Sequence, residues 1–279
     1  MKVTVTALGH ASVLFDLGGS CVLADPVLSE RIGISVGAWT LGVKRLRPPA
    51  LRAHELSSLS VVLLSHSHMD HTDIPTLRAL PKEAVAVVQR GNADLVRHFH
   101  KRHALRWGEV LDIALPSIGV LRIRAIPSKH WGARAVFDRW RMWGGYLLEC
   151  LDLRSPHFPD RPLSLLFSGD TALTDVYAKL RAERGAGVDL ACMPIGAYDP
   201  WIFHHCSPEQ AWKMAIHDLE AVALMPVHYD TFRLSNEPVG EPMERLQQIA
   251  LKDGGLERIV GGVLGQPYVV FDVASRSLG

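Results

Sequence analysis

The sequence predicts an α/β (α+β) protein built on two mixed β-sheets covered by helices, and three observations carry that reading. Short β-branched runs recur along the chain. Helical patterns separate several of them, as in strand–helix units. Elsewhere the runs follow one another directly, as hairpin strands do, and a simple doubly wound sheet would hold fewer such pairs.

Taken in order, the expected strands begin with "KVTVTAL", where Val3, Val5 and Ala7 alternate with Thr4 and Thr6 as in a half-buried strand. They continue with "SVLFDL", "CVLAD", "SVVLLS", "AVAVVQ", "GVLRIRAIP", "GGYLLECL", "LSLLFSGD", "GVDLACMPI", "AVALMPV" and "PYVVFDV". Helical patterns occupy "DIPTLRALP", "NADLVRHFHKRH", "TALTDVYAKLRAER", "SPEQAWKMAIHDLE" and "EPMERLQQIALKD". Ser207-Pro208-Glu209-Gln210 carries an N-cap serine, a first-turn proline and a capping-box glutamine. Asn92 and Thr171 are the expected caps of their helices. "RSPHFPDRP" at 154–162 reads as a hairpin tip. No linker, repeat or low-complexity tract interrupts 1–279, so one domain is expected. Residues 26–50 lack a sustained period and read either as a lid or substrate loop or as a surface excursion packed on the fold.

Composition narrows the function. Hydrophobic residues make up 48% and charged residues 21%, ordinary for a globular chain. A net charge of +1 argues against a nucleic-acid binder driven by bulk electrostatics. The four cysteines (Cys21, Cys150, Cys192, Cys206) form no CxxC pair, which favours a reducing, cytoplasmic setting. The opening residues do not make a clean secretory signal, because Thr4, Thr6, Gly9 and His10 interrupt the apolar run.

The stretch "LLSHSHMDHTD" crowds titratable groups directly behind an apolar strand. In extended chain His66 and His68 project to one side, while Asp70 and His71 lie past the strand end, where a turn swings them to a second point. Imidazole and carboxylate are ligands for zinc and its neighbours. Buried polar groups without partners are costly, so a metal explains the cluster better than a polar loop or a core of satisfied histidines.

His66-Ser67-His68-Met69-Asp70-His71 resembles the H-x-H-x-D-H signature of the metallo-β-lactamase superfamily. The resemblance runs through "LGHASVLF", "LADPV", "KHW", "FSGDT", "PIGAYDP", "HCSPEQA" and "HYDTF". In combination these blocks are most similar to the branch of N-acyl phosphatidylethanolamine-hydrolysing phospholipase D, and more distantly to ascorbate-6-phosphate lactonases. The resemblance implies an αββα four-layer sandwich with a dinuclear site on one rim. His66, His68 and His130 would hold one ion, Asp70, His71 and His228 the other, and Asp170 would bridge them. Zinc suits these donors best, and manganese and iron accept them too.

Two such cations share and acidify a water, giving a hydroxide that attacks phosphorus or carbonyl carbon. Asp70 would then be a ligand that also orients the hydroxide. His205 would contact substrate or assist the leaving group, with His204 an exposed neighbour. His10 and Asp25 are expected near the metals, and Asp25 or Asp73 could fix the tautomer of a ligating histidine. "KHWGARAVFDRWRMWGG" joins Trp131, Trp140 and Trp143 to Arg134, Arg139 and Arg141. It suits a phosphate-bearing or amphiphilic substrate, although tryptophans are more often core.

The expected activity is hydrolysis of a phosphodiester in a small or lipid-like substrate. Alternatives are a lactone or other ester or amide hydrolase and, in another class, a metal-binding scaffold or sensor without turnover. The segment 31–46, with Trp39, Leu41 and Val43 beside Lys44 and Arg45, is compatible with peripheral membrane contact.

Overall fold

The computed structural model describes residues 2–36, 39–135, 137–151, 161–272 and 277–278. In chain order the amino-terminal half forms β1 (Lys2–Gly9), β2 (Ser12–Leu17), β3 (Ser20–Ala24), a hairpin of β4 (Arg31–Val36) and β5 (Trp39–Lys44), β6 (Leu59–Leu64), α1 (Ile74–Ala79), β7 (Val85–Gln89) and β8 (Lys101–Leu105). There follow β9 (Val110–Leu115), β10 (Gly119–Ile126), β11 (Gly145–Leu151), β12 (Leu163–Phe167), α2 (Val176–Arg184), β13 (Leu190–Pro194), α3 (Pro208–Trp212), β14 (Ala223–Val227), α4 (Glu241–Lys252), β15 (Tyr268–Asp272) and β16 (Ser277–Leu278).

One sheet has the order β16-β15-β1-β2-β3-β6-β7-β8, the other β14-β13-β12-β11-β10-β9. Both mix parallel and antiparallel pairs. Their facing sides share a core in which Val3, Val5, Phe15, Val61 and Leu63 meet Leu121, Ile123, Leu165, Phe167 and Leu190. The period of two explains the rest. Val62 and Leu64 of β6 turn outward onto Leu77 of α1, while Leu166, Ala191 and Met193 turn onto Tyr177, Leu180, Trp212 and Leu246 of the other helical layer. Central strands buried on both faces therefore read as unbroken apolar runs. The layers are helix, sheet, sheet, helix, as expected.

Every strand anticipated from the sequence forms. The Ser207 capping box is present, with the Ser207 hydroxyl accepting from the Gln210 N–H at 3.3 Å. The structure corrects four expectations. "NADLVRHFHKRH" gives only a 3-10 turn at Ala93–Val96 and then the exposed edge strand β8, whose Lys101, Arg102 and His103 suit a solvated sheet edge. Asn92 does not cap; its side-chain amide donates to Gln89 and Met142 carbonyls. Thr171 does not cap α2, which starts after Asp175. Within 26–50, the residues read as an irregular loop form the β4–β5 hairpin, with Gly33 directly opposite Gly42. The glycines looked like loop punctuation, yet they let two backbones meet: a Cβ at Gly33 would lie 2.0 Å from the Leu41 carbonyl oxygen.

The expected tip at 154–162 falls mainly on 152–160, outside the described residues, while β11 and β12 on either side pair antiparallel. No described helix is long and apolar enough to cross a membrane, and Cys21, Cys192 and Cys206 are free thiols.

Candidate metal centre

Strand direction explains why the singled-out residues meet. In the first sheet β1, β3 and β6 run the same way, and in the second β10, β12, β13 and β14 do. Each ends at the same rim. His10 follows β1, Asp25 follows β3, the 66–71 loop follows β6, His130 follows β10, Asp170 follows β12, and His228 follows β14. His10, Asp25 and His228 take left-handed backbone, with φ of 54°, 40° and 62°, which turns the chain off the strand. Gly169 is required before Asp170: its φ is +59°, and a Cβ would lie 2.6 Å from Ser65 Cβ.

Two donor groups result. His66 Nε2 and His130 Nε2 lie 2.9 and 3.2 Å from His68 Nδ1. Beside them, Asp70 Oδ2 is 3.2 Å from His228 Nε2 and 3.6 Å from His71 Nε2. Asp170 Oδ2 stands between the groups, 3.1 Å from His71, 3.3 Å from His228, 3.7 Å from His130 and 3.8 Å from His66. The seven expected ligands are thus together, and the donor atoms within each group fall within 4.8 Å.

These residues fit cations. Spacings near 3 Å are the edges of a coordination polyhedron with bonds of about 2.0–2.1 Å. Buried His68 Nε2, His71 Nε2, Asp170 Oδ1 and His205 Nδ1 find no hydrogen-bond partner among the described residues, a costly arrangement unless ions or substrate engage the cluster. The donors are nitrogen and oxygen only, without thiolate.

The outer partners set the tautomers. Asp25, fully buried, accepts from the Ser65 N–H at 2.7 Å, from the Ser65 hydroxyl, and from His71 Nδ1 at 2.6 Å. Because the Ser65 hydroxyl donates to Asp25, its oxygen accepts from His66 Nδ1 at 2.9 Å. His130 Nδ1 donates to the His204 carbonyl at 2.9 Å. Each arrangement turns Nε2 toward the donor cluster. His10 Nε2 lies 3.0 Å from Asp70 Oδ2, and its ring packs at a tilt against His228 with centroids 4.1 Å apart.

Asp73 goes elsewhere. Its carboxylate caps α1 through Thr76 and takes the Ser29 hydroxyl at 2.5 Å, so it touches no ligating imidazole. Arg134 is not free for substrate throughout, since its Nη1 donates to the Ser67 and Thr72 carbonyls and clasps the ligand loop. Trp131 and Trp140 are not core; they are 48% and 66% exposed, and Trp131 packs on His68 at 4.5 Å. The role of His204 rests on a backbone carbonyl, and that of Ser65 on a hydroxyl one position before the motif. Neither leaves a pattern in residue type.

Electrostatics follow from burial and charge. Burial pushes His68, His130 and His205 down to about 4 and His10 to about 3. His66 is likewise driven well below the usual histidine range. For His228 burial also acts downward, but Asp170 and Asp70 outweigh it and hold the group at about 9; His71 is raised well above its usual value by Asp170, Asp70 and Asp25. A cation binding there must therefore displace the proton held on His228 at neutral pH and the one favoured on His71. Metal affinity should rise from pH 6 to 9, with roughly one to two protons released per chain near pH 7. Titration calorimetry in buffers of different ionisation enthalpy reads this directly; release of no protons would contradict it.

A cleft of about 460 Å³ opens over the cluster, lined by His68, Asp70, Trp131, Arg134, Trp201 and His205 among others. His205 Nδ1 is 3.8 Å from Asp170 Oδ2. The family model described as beta-lactamase superfamily domain matches residues 21–229. The chain belongs to the metallo-β-lactamase superfamily. An uncharacterized protein of Mycobacterium tuberculosis is 30% identical over 257 residues, which cover 88% of this chain and 63% of that one. This chain thus spans just under two thirds of that relative's length. The N-acyl-phosphatidylethanolamine-hydrolyzing phospholipase D 1 of Caenorhabditis elegans is 29% identical over 260 residues, 88% of this chain and 68% of the relative. A crystal structure described as a possible metal-dependent hydrolase from Veillonella parvula aligns with a TM-score of 0.71 at 16% identity. The alignment covers 96% of this chain and 99% of that one, which shows a shared fold.

Proposed function

We propose that the protein is a metal-dependent hydrolase that cleaves a phosphodiester at a dinuclear centre, in the manner of the phospholipase D-type relative. The observation that carries the reading is the convergence of His66, His68, His130, Asp70, His71, His228 and Asp170 on one rim, with buried donor atoms that no described group satisfies. Zinc is the cation these donors suit best. When bound, a cation pair supplies an acidified water and neutralises charge at the scissile centre.

The chain's own groups do the rest. Asp70, held by His10 and His228, keeps a carboxylate oxygen at the site of attack. His205, kept neutral by burial, offers a ring N–H to the oxygen on which charge develops. Trp131 and Trp201 wall the cleft and limit water.

Purified protein, metal-loaded or chelated, is to be assayed on bis-p-nitrophenyl phosphate, an N-acyl phosphatidylethanolamine and a lactone panel. Phosphodiester turnover should vanish on chelation and return with metal, and His205→Ala should lower kcat by about 10²-fold. Turnover of lactones alone would replace the phosphodiester reading with the carboxylic-ester one, and silence under several metals would favour a scaffold.

A lipid-like substrate fits the hairpin as well. Ile34 and Leu41 are 63% and 66% exposed, and Lys44 is exposed beside them. Arg45 does not share that role: it is buried, donates to Ser29 and Val27 carbonyls, and lies over the Phe232 ring. Peripheral contact through this face predicts that Leu41→Glu abolishes co-sedimentation with anionic vesicles; wild-type protein that never pellets would remove the idea.

A further inference from the structure

The cleft over the ligand cluster continues sideways. Met69 and Arg134 line it and also line a neighbouring cleft of about 760 Å³, whose other walls include Ile34 of β4, Thr40 of β5, and Ile74 and Pro75 of α1. The two share a wall, so a groove leads from the metal ligands past Met69 to the underside of the hairpin. Along the first cleft Arg134 is the one Lys or Arg among the described lining residues. Its Nη1 is committed to the Ser67 and Thr72 carbonyls at 2.9 and 2.8 Å, whereas Nη2 and Nε make no hydrogen bond to a described residue, although Asp73, Asp138 and Asp70 lie close enough to act on its charge. A half-buried guanidinium held along one edge and open along the other is preorganised for an oxyanion. The groove beyond it is mixed: Met69, Ile34, Ile74 and Pro75 form an apolar strip, while Ser29, Thr40, Asp73 and Arg78 line the remainder.

We propose that Arg134 is a specificity-determining residue that selects substrates bearing an anionic oxygen beside the scissile bond, and that the apolar remainder of the substrate lies in the groove between Met69, Ile34 and Ile74. This rests on the hydrolase reading and sharpens it: the site prefers a phosphodiester monoanion with an alkyl or acyl extension over a neutral ester. The Nη1 contacts fix where the guanidinium sits, so the open edge meets the substrate without reorganisation.

The test is binding, which needs no turnover. Metal-loaded wild type, Arg134→Met, Arg134→Lys and Ile34→Glu are titrated calorimetrically with phenyl phosphate and with octyl phosphate, and metal content is measured for each. Arg134→Met should raise Kd for both ligands about 10–100-fold, the scale of one or two charge-assisted hydrogen bonds. Ile34→Glu should raise Kd for octyl phosphate about 10-fold and leave phenyl phosphate unchanged. Arg134→Lys can still donate to the two carbonyls but lacks the fork. It should keep wild-type metal content and bind both ligands about 10-fold more weakly. Wild-type phosphate affinity in Arg134→Lys, or an affinity loss that only follows metal loss across the variants, overturns the proposal. The expected shifts in a protein that hydrolyses nothing would overturn the hydrolase reading alone.

Discussion

Asp170→Ala is expected to reduce hydrolysis by about 10³-fold or more, the scale of removing a preorganised electrostatic partner, and to lower metal content at both donor groups. Its Oδ2 is the one carboxylate oxygen within 4 Å of His66, His71, His130, His205 and His228. No other described side chain links the two groups in that way, so the loss is not local. His71 and His228 would also lose the negative charge that raises them, and their proton affinity should fall. Steady-state kinetics with metal analysis on the same sample checks both halves. Retention of more than a tenth of wild-type turnover would show that the carboxylate is not central.

Asp25→Ala should be the most damaging change outside the ligands. The carboxylate is fully buried and receives the Ser65 N–H, the Ser65 hydroxyl and His71. Removing it strands three donors in a dry site, and breaking a buried pair costs about 3–5 kcal/mol. It also frees the tautomers of His66 and His71, since Ser65 relays the one and Asp25 contacts the other. Metal affinity should therefore drop about 10–100-fold. Denaturant unfolding in chelator isolates the stability loss, and metal titration of the folded fraction reads the second effect. An unchanged midpoint would mean that the network is ornamental.

The sequence made the sheets and the rim cluster of histidines and aspartates legible for one physical reason. Strands buried on both faces, such as β6, β12 and β13, must be apolar throughout, and the titratable residues directly after them stand out. Edge elements hid. β8 is charged because it is exposed, and its Arg97–His103 neighbourhood imitates a helix face. The β4–β5 hairpin hid behind Gly33 and Gly42, which mark a cross-strand contact. Partners acting through backbone oxygens, such as His204 for His130 and Ser67 for Arg134, have no signature in residue type. Asp73 misled because a helix N-cap and a tautomer-fixing carboxylate look alike until the fold places them.

Anomalous diffraction from metal-loaded crystals, recorded at the absorption edge of the bound element, tests the whole account most directly. Two peaks are predicted, one enclosed by His66, His68 and His130, the other by Asp70, His71 and His228, with Asp170 reaching both. No peak at either position, or a single ion bound away from Asp170, would contradict it.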